Sequence, residues 1–345
     1  MRATIFHGPG DVQVGSVPAP RLQSDSDAIV RVTHSCVCGS DLWAYRGTAK
    51  RNPGQPLGHE FLGIVEQVGA AVSSLLPGDR VLSPFSWSDG TCGYCRAGLQ
   101  TSCQNGGFWG RTPGAGGAQA DAVRVPWADG TLVKLPVDTP DAMNPALLTL
   151  CDVLGTGHHA AVCAGVAPGA TVAVVGDGAV GLCAVLAARR LGAGHVIMLS
   201  RHGSRGEVGE KFGATVIEAS PGAPVAELVR DLTDGLGADA VLECVGTEQA
   251  LETAVSLARD GGSVGFVGVP HGVKRMPVSA MFRRNIGVRG GIAPVRQYIP
   301  SLLPGVLDGS LDASLVFDVS LPLDEAHRAY ELMDTRRAIK VLLTA

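Results

Sequence analysis

The sequence predicts an α/β protein in which a β-rich, barrel-like domain is interrupted by a doubly wound parallel sheet. At 345 residues the chain exceeds the size at which one hydrophobic core usually stops growing, so two domains are expected. Short apolar segments broken by Gly and Pro fill the first part of the chain, whereas strand-like and helix-like segments alternate from about Thr171 onwards. We place the first domain at residues 1–152 and 294–345, and the inserted domain at residues 153–293.

The first domain is predicted to consist of short strands connected by loops that are long enough to hold binding sites. Its strand-like segments are RATIF, AIVRVTHSCV, GIVEQVGA, DRVLSPF and DAVRVP. After Pro294, the helical stretch YIPSLLPGVL, the helix LDEAHRAYELMDT and the strand AIKVLLTA complete the same domain.

The inserted domain is predicted to be a parallel sheet covered by helices. It begins with the strand ATVAVVGDG, the helix AVGLCAVLAARRLGA, the strand HVIMLS and the helix RGEVGEKFGA. It continues with ADAVLECVG, a helix over EQALETAVSLA, GGSVGFVGV and IGVRGGI. Strands that alternate with helices of this length indicate a Rossmann-type domain.

The composition excludes several classes of protein. Hydrophobic residues make up 46% of the chain and charged residues 17%, which argues against disorder. The net charge is −4 and no Lys/Arg run is present, so neither nucleic acid nor an acidic membrane is an expected partner. The apolar stretches fall well short of the roughly 20 residues that span a bilayer. The N-terminus lacks a signal peptide and the nine cysteines are an odd number, which favours a cytoplasmic protein with metal sites over one with disulfides.

The segment GDGAVG matches the G-x-G-x-x-G pattern and stands between an apolar strand and a helix. Glycines there allow a tight turn and a close approach of the backbone to a pyrophosphate, while the helix N-terminus offers free N–H groups to the anion. We expect a dinucleotide to bind at Gly176, Gly178, Val180 and Gly181.

The end of the second strand of this domain carries Ser200 and Arg201, with Arg205 close behind. An NAD site places a carboxylate here, about 20 residues after the glycine turn, and the sequence offers none nearby until Glu207. A hydroxyl and guanidinium groups can bind a 2′-phosphate by charge-assisted hydrogen bonds. We therefore expect NADP(H) to be preferred over NAD(H), the alternative being a solvated basic loop.

Soft and hard metal ligands occur at three points of the first domain. Cys38 opens the segment CGSD, His59 lies in GHE, and Cys151 and Asp152 stand next to each other at the end of the domain. A thiolate, an imidazole and one further ligand, with one position left open, make a catalytic zinc site.

These motifs, in this order and ahead of a Rossmann insertion, resemble those of the zinc-containing medium-chain alcohol dehydrogenase family, and the resemblance covers essentially the whole chain. It implies a GroES-like β-barrel catalytic domain and a homodimer or homotetramer. It also implies Cys38, His59 and Asp152 as ligands of a catalytic zinc, because the third ligand lies four residues before a Thr-Gly pair. Cys151 remains open as an alternative third ligand. Glu60 resembles the family's acidic residue near the metal.

A second cluster follows the x₂, x₂, x₇ spacing at which the related family lobe carries four cysteines for a structural zinc. Here the last three positions are Cys92, Cys95 and Cys103, and the first is Asp89. Since a carboxylate is an ordinary zinc ligand, we expect Asp89 to be the fourth ligand and two zinc ions per chain. The alternative is a lobe that has lost its metal.

The resemblance also implies residues around the substrate. Ser40 occupies the proton-relay position, whereas Trp43 replaces a His that passes the proton onward in several relatives. Lys340 matches a basic residue that contacts the cofactor phosphates, although an exposed strand lysine is an equal alternative. The residues expected to line the substrate cleft are Trp43, Phe85, Trp109 and Ile292.

Together these features predict a zinc-dependent oxidoreductase that transfers a hydride between an alcohol or carbonyl substrate and NADP(H). One alternative is a zinc-free quinone or enoyl reductase of the same superfamily, although those members lack the ligand set. The other is a non-catalytic relative that only binds the nucleotide.

Overall fold

The computed structural model describes residues 1–220 and 222–345. Contacts divide them into two compact units, one of Met1–Asp152 with Pro294–Ala345 and the other of Val153–Ala293. The strands are β1 (Arg2–Gly8), β2 (Asp11–Ser16), β3 (Ala28–Cys36), β4 (Phe61–Val68), β5 (Arg80–Ser83), β6 (Ser86–Trp87), β7 (Gly107–Phe108), β8 (Ala122–Val125), β9 (Val133–Lys134), β10 (Thr171–Val175), β11 (His195–Ser200), β12 (Thr215–Glu218), β13 (Ala238–Glu243), β14 (Ala258–Phe266), β15 (Gly287–Gly290), β16 (Phe317–Pro322) and β17 (Lys340–Thr344).

The helices are α1 (Leu42–Tyr45), α2 (Gly93–Arg96), α3 (Ala128–Thr131), α4 (Asn144–Thr149), α5 (Val153–Cys163), α6 (Ala179–Arg190), α7 (Gly203–Lys211), α8 (Val225–Asp231), α9 (Glu248–Leu257), α10 (Val278–Arg284), α11 (Val295–Leu307) and α12 (Ala326–Asp334). Short 3₁₀ helices cover Gln100–Ser102, Asp141–Met143, Ser314–Val316 and Leu323–Glu325.

The first unit is built on a seven-stranded sheet in the order β16-β17-β3-β4-β5-β9, with β8 also paired to β3. The C-terminal strand β17 pairs antiparallel with β3, so the last part of the chain completes the domain that the first part begins. Aromatic side chains fill the core beside β4, where Phe61 and Trp109 are almost fully buried. The antiparallel pairing of β3 and β4 brings the end of one strand beside the start of the other, with Ser35 opposite Phe61.

The second unit is a six-stranded parallel sheet in the order β12-β11-β10-β13-β14-β15. The segment TVAVV of β10 is buried at all but its first residue, as expected for a central parallel strand covered on both faces. The chain runs outward from β10 to β11 on one side and returns to β13 on the other. This reversal creates the crevice at the carboxyl ends of the strands where ligands bind in open α/β sheets.

Four elements of the second unit are missing from the sequence predictions, namely α5, β12, α8 and α10, and two of them are typical. Strand β12 is a four-residue edge strand with a single buried residue, and α8 has one buried residue, Val229. Such short, largely exposed segments have no strong apolar periodicity, which is the main signal of secondary structure in a sequence.

One segment of the chain is both long and apolar. Asp141–Cys163, which comprises a 3₁₀ helix, α4 and α5, spans 23 residues and contains an 18-residue window of mean hydropathy 1.2, enough to cross a membrane by length and composition alone. However, 78% of that window is buried inside the protein. Burial of this extent is that of a core helix, because a lipid-facing helix would leave its apolar side chains exposed.

Candidate metal centres and dinucleotide site

Four potential metal ligands converge in the first unit. Cys38 follows β3, His59 and Glu60 directly precede β4, and Asp152 lies at the end of the unit's first segment. The ligand atoms of these residues all lie within 4.8 Å of one another. The Oδ2 atom of Asp152 is 3.3 Å from His59 Nε2 and 3.7 Å from Cys38 Sγ.

This cluster has the chemistry of a zinc site. All four side chains are buried, and Glu60 Oε2 has no hydrogen-bond partner among the described residues. Bringing a thiol, an imidazole and two carboxyl groups together in a buried site is costly unless a cation lies between them. Sulfur, nitrogen and oxygen donors together suit zinc. The residues therefore fit the metal that the sequence predicts.

A buried carboxyl group, Asp41, lies on the other side of the His59 ring. Its Oδ1 is 3.6 Å from His59 Nδ1, and its Oδ2 accepts the Cys38 N–H at 3.2 Å. Burial alone would raise the pKa of Asp41, but the His59 imidazole outweighs it and lowers the pKa to about 2. Asp41 thus orients the ring with Nε2 towards the cluster, a role that metal-binding histidines usually require of a neighbour. This role of Asp41, the last residue of the CGSD segment, could not be predicted from the sequence pattern.

Lys340 is the first residue of β17. The side chain is 1% exposed, so an exposed strand lysine is wrong. Its ammonium donates to Glu60 Oε1 at 2.7 Å and to the Val37 carbonyl at 3.3 Å. The ammonium is thus paired with a carboxylate of the metal cluster, and its contact with the cofactor phosphates stays a prediction.

The alternative third ligand, Cys151, points elsewhere. Its thiol lies 3.4 Å from the Phe61 carbonyl oxygen, to which it donates. Burial raises the pKa of this thiol far above its ordinary range, with Glu60 adding to the shift. Because the ligand atom of Asp152, and not the thiol of Cys151, lies with those of Cys38 and His59 in the cluster, Asp152 is the better third ligand.

The second cluster comprises Asp89, Cys92, Cys95 and Cys103, whose ligand atoms again lie within 4.8 Å of one another. The sulfurs of Cys92 and Cys103 are 3.9 Å apart. Each accepts a backbone N–H, Cys92 from Cys95 at 3.5 Å and Cys103 from Asp89 at 3.2 Å. Such bonds favour thiolates and lower the pKa of Cys92, whereas burial outweighs them at Cys103 and raises its pKa.

Asp89 is held as a carboxylate that faces these sulfurs. Burial would raise its pKa, but the N–H groups of Cys92 and Thr91 and the Asn105 amide lower it well below the ordinary range. A fixed carboxylate beside three thiols provides the four ligand atoms of a closed tetrahedral zinc site.

The glycine turn of the second unit joins β10 to α6. Gly176 has φ +119°, which side-chain-bearing residues rarely adopt. A Cβ atom on Gly181 would lie 1.9 Å from the Gly176 carbonyl oxygen, so the helix can approach the turn only with glycine there. Gly178 is the N-cap residue of α6, whose first N–H groups face the crevice end of the sheet, and Val180 is half-buried in the first turn. This turn fits a dinucleotide pyrophosphate.

The loop after β11 corrects one expectation from the sequence. A carboxylate does lie beside it, because Asp177 of the glycine turn reaches across. Asp177 Oδ2 is 3.0 Å from Ser200 Oγ, 2.9 Å from the Arg201 nitrogen and 2.8 Å from His202 Nδ1, and Oδ1 is 3.7 Å from Arg205 Nη1. Ser200 is also buried. The loop is therefore held in place by a carboxylate and is not a freely solvated basic loop.

The four residues expected to line a substrate cleft lie in different surroundings. The Phe85 ring lies 6.4 Å from the His59 ring and stacks on Phe108 at 6.1 Å, so it is beside the first cluster. Trp109 is 1% exposed, packs against Phe61 and Trp87, and donates to the Pro84 carbonyl. Trp109 is thus a core residue, which contradicts the prediction. Trp43 is a half-buried residue of α1, and Ile292 of the second unit is 63% exposed.

Comparisons with known proteins agree with this geometry. A family model for the alcohol dehydrogenase GroES-like domain matches residues 24–137, and one for zinc-binding dehydrogenases matches residues 179–307. The chain is 35% identical to zinc-type alcohol dehydrogenase B of Aspergillus flavus, across 100% of this chain and 81% of the relative.

Solved structures are similar over the whole chain. Alcohol dehydrogenase TADH from Thermus sp. ATN1 has a TM-score of 0.93 and 39% identity, covering 100% of this chain and 99% of that chain. A zinc-binding dehydrogenase of Sinorhizobium meliloti 1021, crystallised with bound NADP, has a TM-score of 0.86 and 28% identity over 100% and 99% of the two chains.

Proposed function

Because the chain belongs to the zinc-containing medium-chain alcohol dehydrogenase family, we propose that it interconverts a small alcohol and its aldehyde or ketone, with NADP(H) as the preferred cofactor. The predicted family and α/β fold class are confirmed. The observation that carries the proposal is the convergence of Cys38, His59 and Asp152 in one buried cluster.

The chain's own residues prepare this centre for a cation. A zinc ion bound there supplies Lewis acidity that lowers the pKa of the substrate hydroxyl, and a bound nicotinamide takes up the hydride. Cys38 and Asp152 contribute two negative charges when ionised, which balance the charge of the metal. Asp41 fixes the His59 ring, and Lys340 fixes the Glu60 carboxylate beside the ligands. A rigid arrangement of this kind minimises reorganisation during the reaction.

Ser40 is the proposed acceptor of the substrate proton. It is half-buried and lies in the turn between Cys38 and Asp41, two residues from a ligand of the centre, so solvent can reach this turn. Trp43 cannot continue the relay, because an indole N–H donates a hydrogen bond but offers no basic lone pair. We propose that the proton leaves Ser40 by water or a cofactor ribose hydroxyl.

The second cluster is proposed to hold a structural zinc, which brings the number of zinc ions to two per chain. Its four donors lie on a short segment that contains only a four-residue helix and a 3₁₀ turn. A metal ion that ties these loops together would stabilise a lobe with little regular structure of its own.

The preference for NADP(H) is proposed from the loop after β11. The Arg201 side chain is exposed at the carboxyl end of the sheet, and Arg205 in α7 lies behind it. A planar guanidinium binds phosphate through paired hydrogen bonds. The relative from Sinorhizobium meliloti 1021 was crystallised with NADP, which supports the same choice.

We further propose a homodimer or homotetramer located in the cytoplasm. Strand β15 ends the described sheet and pairs only with β14 among the described residues, so one edge remains available to a second copy. Phe282 and Val278 of the preceding helix α10 are 83% and 63% exposed, which suits a surface that another subunit covers. All nine cysteines, each within the described residues, are free thiols, as in a reducing compartment.

The test is a panel of primary, secondary and aromatic alcohols with NADP and NAD, followed by the absorbance of the reduced nicotinamide. The zinc content of the same preparation is measured, and a chelated sample serves as the control. We expect alcohol-dependent reduction that is lost with zinc and restored by it. Activity that persists after zinc removal would favour the zinc-free reductase, and nucleotide binding without turnover on any alcohol or carbonyl would favour the non-catalytic relative.

A further inference from the structure

We propose that Asp177 determines how strongly the enzyme discriminates between NADP(H) and NAD(H). Its carboxylate occupies the hydrogen-bond donors at the end of β11 that a 2′-phosphate would use, so it weakens NADP(H) binding relative to NAD(H). This inference rests on the proposed function, since it concerns the cofactor site of that reaction.

The position of Asp177 follows from the parallel sheet. It is the residue between the first two glycines of the turn after β10, and β11 is the neighbouring strand, with Val175 beside Leu199. The side chain therefore crosses from the glycine turn to the end of the next strand. It is only 13% exposed and lies among donors.

The groups around Asp177 come from three consecutive residues and from Arg205. The Ser200 hydroxyl and the Arg201 N–H both donate to Oδ2, at 3.0 and 2.9 Å, and the His202 Nδ1 is 2.8 Å from the same oxygen. The Arg205 guanidinium lies 3.7 Å from Oδ1. Burial would raise the pKa of Asp177, but these partners lower it, so the group carries a negative charge.

A carboxylate here affects the two cofactors in opposite ways. It can accept hydrogen bonds from the ribose hydroxyls of NAD(H), which is the role of the acidic residue at the end of the second strand in NAD sites. It repels the 2′-phosphate of NADP(H) and engages the Ser200 hydroxyl and the Arg205 guanidinium, which would otherwise bind that phosphate. NADP(H) binding must then depend mainly on the exposed Arg201 side chain.

The chain thus replaces the usual carboxylate of the second strand by one supplied from the glycine turn. The loop carries the donors of a phosphate site, and Asp177 acts as a fixed anion within it. Both features together predict an enzyme that accepts either cofactor, with a smaller preference for NADP(H) than the loop alone would give.

The test is Asp177→Asn, which removes the charge and keeps the shape. Binding of NADPH and NADH is titrated by nicotinamide fluorescence with the whole protein and no substrate. We expect the ratio of the Kd for NADH to the Kd for NADPH to rise about tenfold, as expected from one charged interaction. Asp231→Asn, an exposed position on α8 that makes the same change in net charge, should leave the ratio unchanged.

An unchanged ratio of the two Kd values in a folded Asp177→Asn protein would overturn the inference. An equal loss of affinity for both cofactors is one form of that result. If that variant does not fold, Asp177→Ser is measured against the same two outcomes. Because the ratio is read from binding alone, it does not depend on alcohol turnover. A wild type that prefers NADH would contradict the proposed cofactor preference, but a rise in the ratio on removing the charge would still support the role of Asp177.

Discussion

Lys340 and Glu60 form an ion pair in which both side chains are almost completely buried. Nζ lies 2.7 Å from Oε1, and the side chains are 1% and 0% exposed. Burial alone would lower the pKa of Lys340, but Cys36 and Glu60 nearby raise it well above its usual value, so the ammonium keeps its charge. The C-terminal strand therefore contributes a positive charge directly to the carboxylate beside the zinc ligands.

Breaking this pair from one side should destabilise the protein. Lys340→Met leaves the Glu60 carboxylate buried without its cation, and loss of one partner of a buried pair costs about 3–5 kcal/mol. The double variant Lys340→Met with Glu60→Gln removes both charges and should recover much of the loss. The Tm values of the single variant, the double variant and the wild type, measured by thermal unfolding, give the loss and its recovery. Equal Tm values for the single and double variants would show that the two charges are not coupled.

Asp89→Ala should release one of two zinc ions and leave alcohol turnover unchanged. The variant removes an oxygen ligand from the second cluster, which lies apart in sequence from Cys38 and His59. We expect zinc content to fall from two to one per chain and Tm to fall by roughly 5–10 °C, since a structural site contributes directly to folding.

The control for this change is Asp138→Ala, an exposed aspartate of the same unit. It should keep both metals and the wild-type Tm. Mass spectrometry of the native protein counts the ions. A single zinc in carefully prepared, active wild type would refute the two-zinc assignment.

Arg201→Ala should weaken the binding of NADP far more than the binding of NAD. Charge-assisted hydrogen bonds to the 2′-phosphate correspond to about 10- to 1,000-fold in affinity, and NAD has no such phosphate. The measurement is kcat/KM for each cofactor at a fixed alcohol concentration. Arg230→Ala, an exposed arginine on α8, serves as the matched control. An Arg201→Ala change that affects both cofactors alike would mean that this side chain does not recognise the phosphate.

The local patterns could be predicted from the sequence because each depends on short spacing. The glycine turn, the x₂, x₂, x₇ cluster and the strand–helix alternation are all determined by neighbours along the chain. The resemblance then supplied Asp152, which lies more than 90 residues from His59 in the sequence and could not be paired with it by spacing.

The contacts that the sequence did not predict all involve partners distant in sequence. The strand of Lys340 pairs with β3 and places the ammonium on Glu60, 280 residues away. Asp177 was counted as part of a glycine pattern, although its carboxylate completes the loop after the next strand. Trp109 was expected in a pocket, and only packing against Phe61 shows it to be core. A linear pattern contains no information about which strand lies next to which.

Zinc at the first cluster should be required for turnover and not for nucleotide binding. Cys38 belongs to the first unit and the glycine turn to the second. Cys38→Ser should therefore abolish turnover and leave nucleotide binding intact. The most direct test measures alcohol-dependent reduction of NADP and the Kd for NADPH in that variant. We predict that turnover falls by about three orders of magnitude, because Lewis-acid stabilisation worth several kcal/mol is lost, while the Kd stays within a few-fold of the wild type. Near-normal turnover by Cys38→Ser would contradict the metal mechanism.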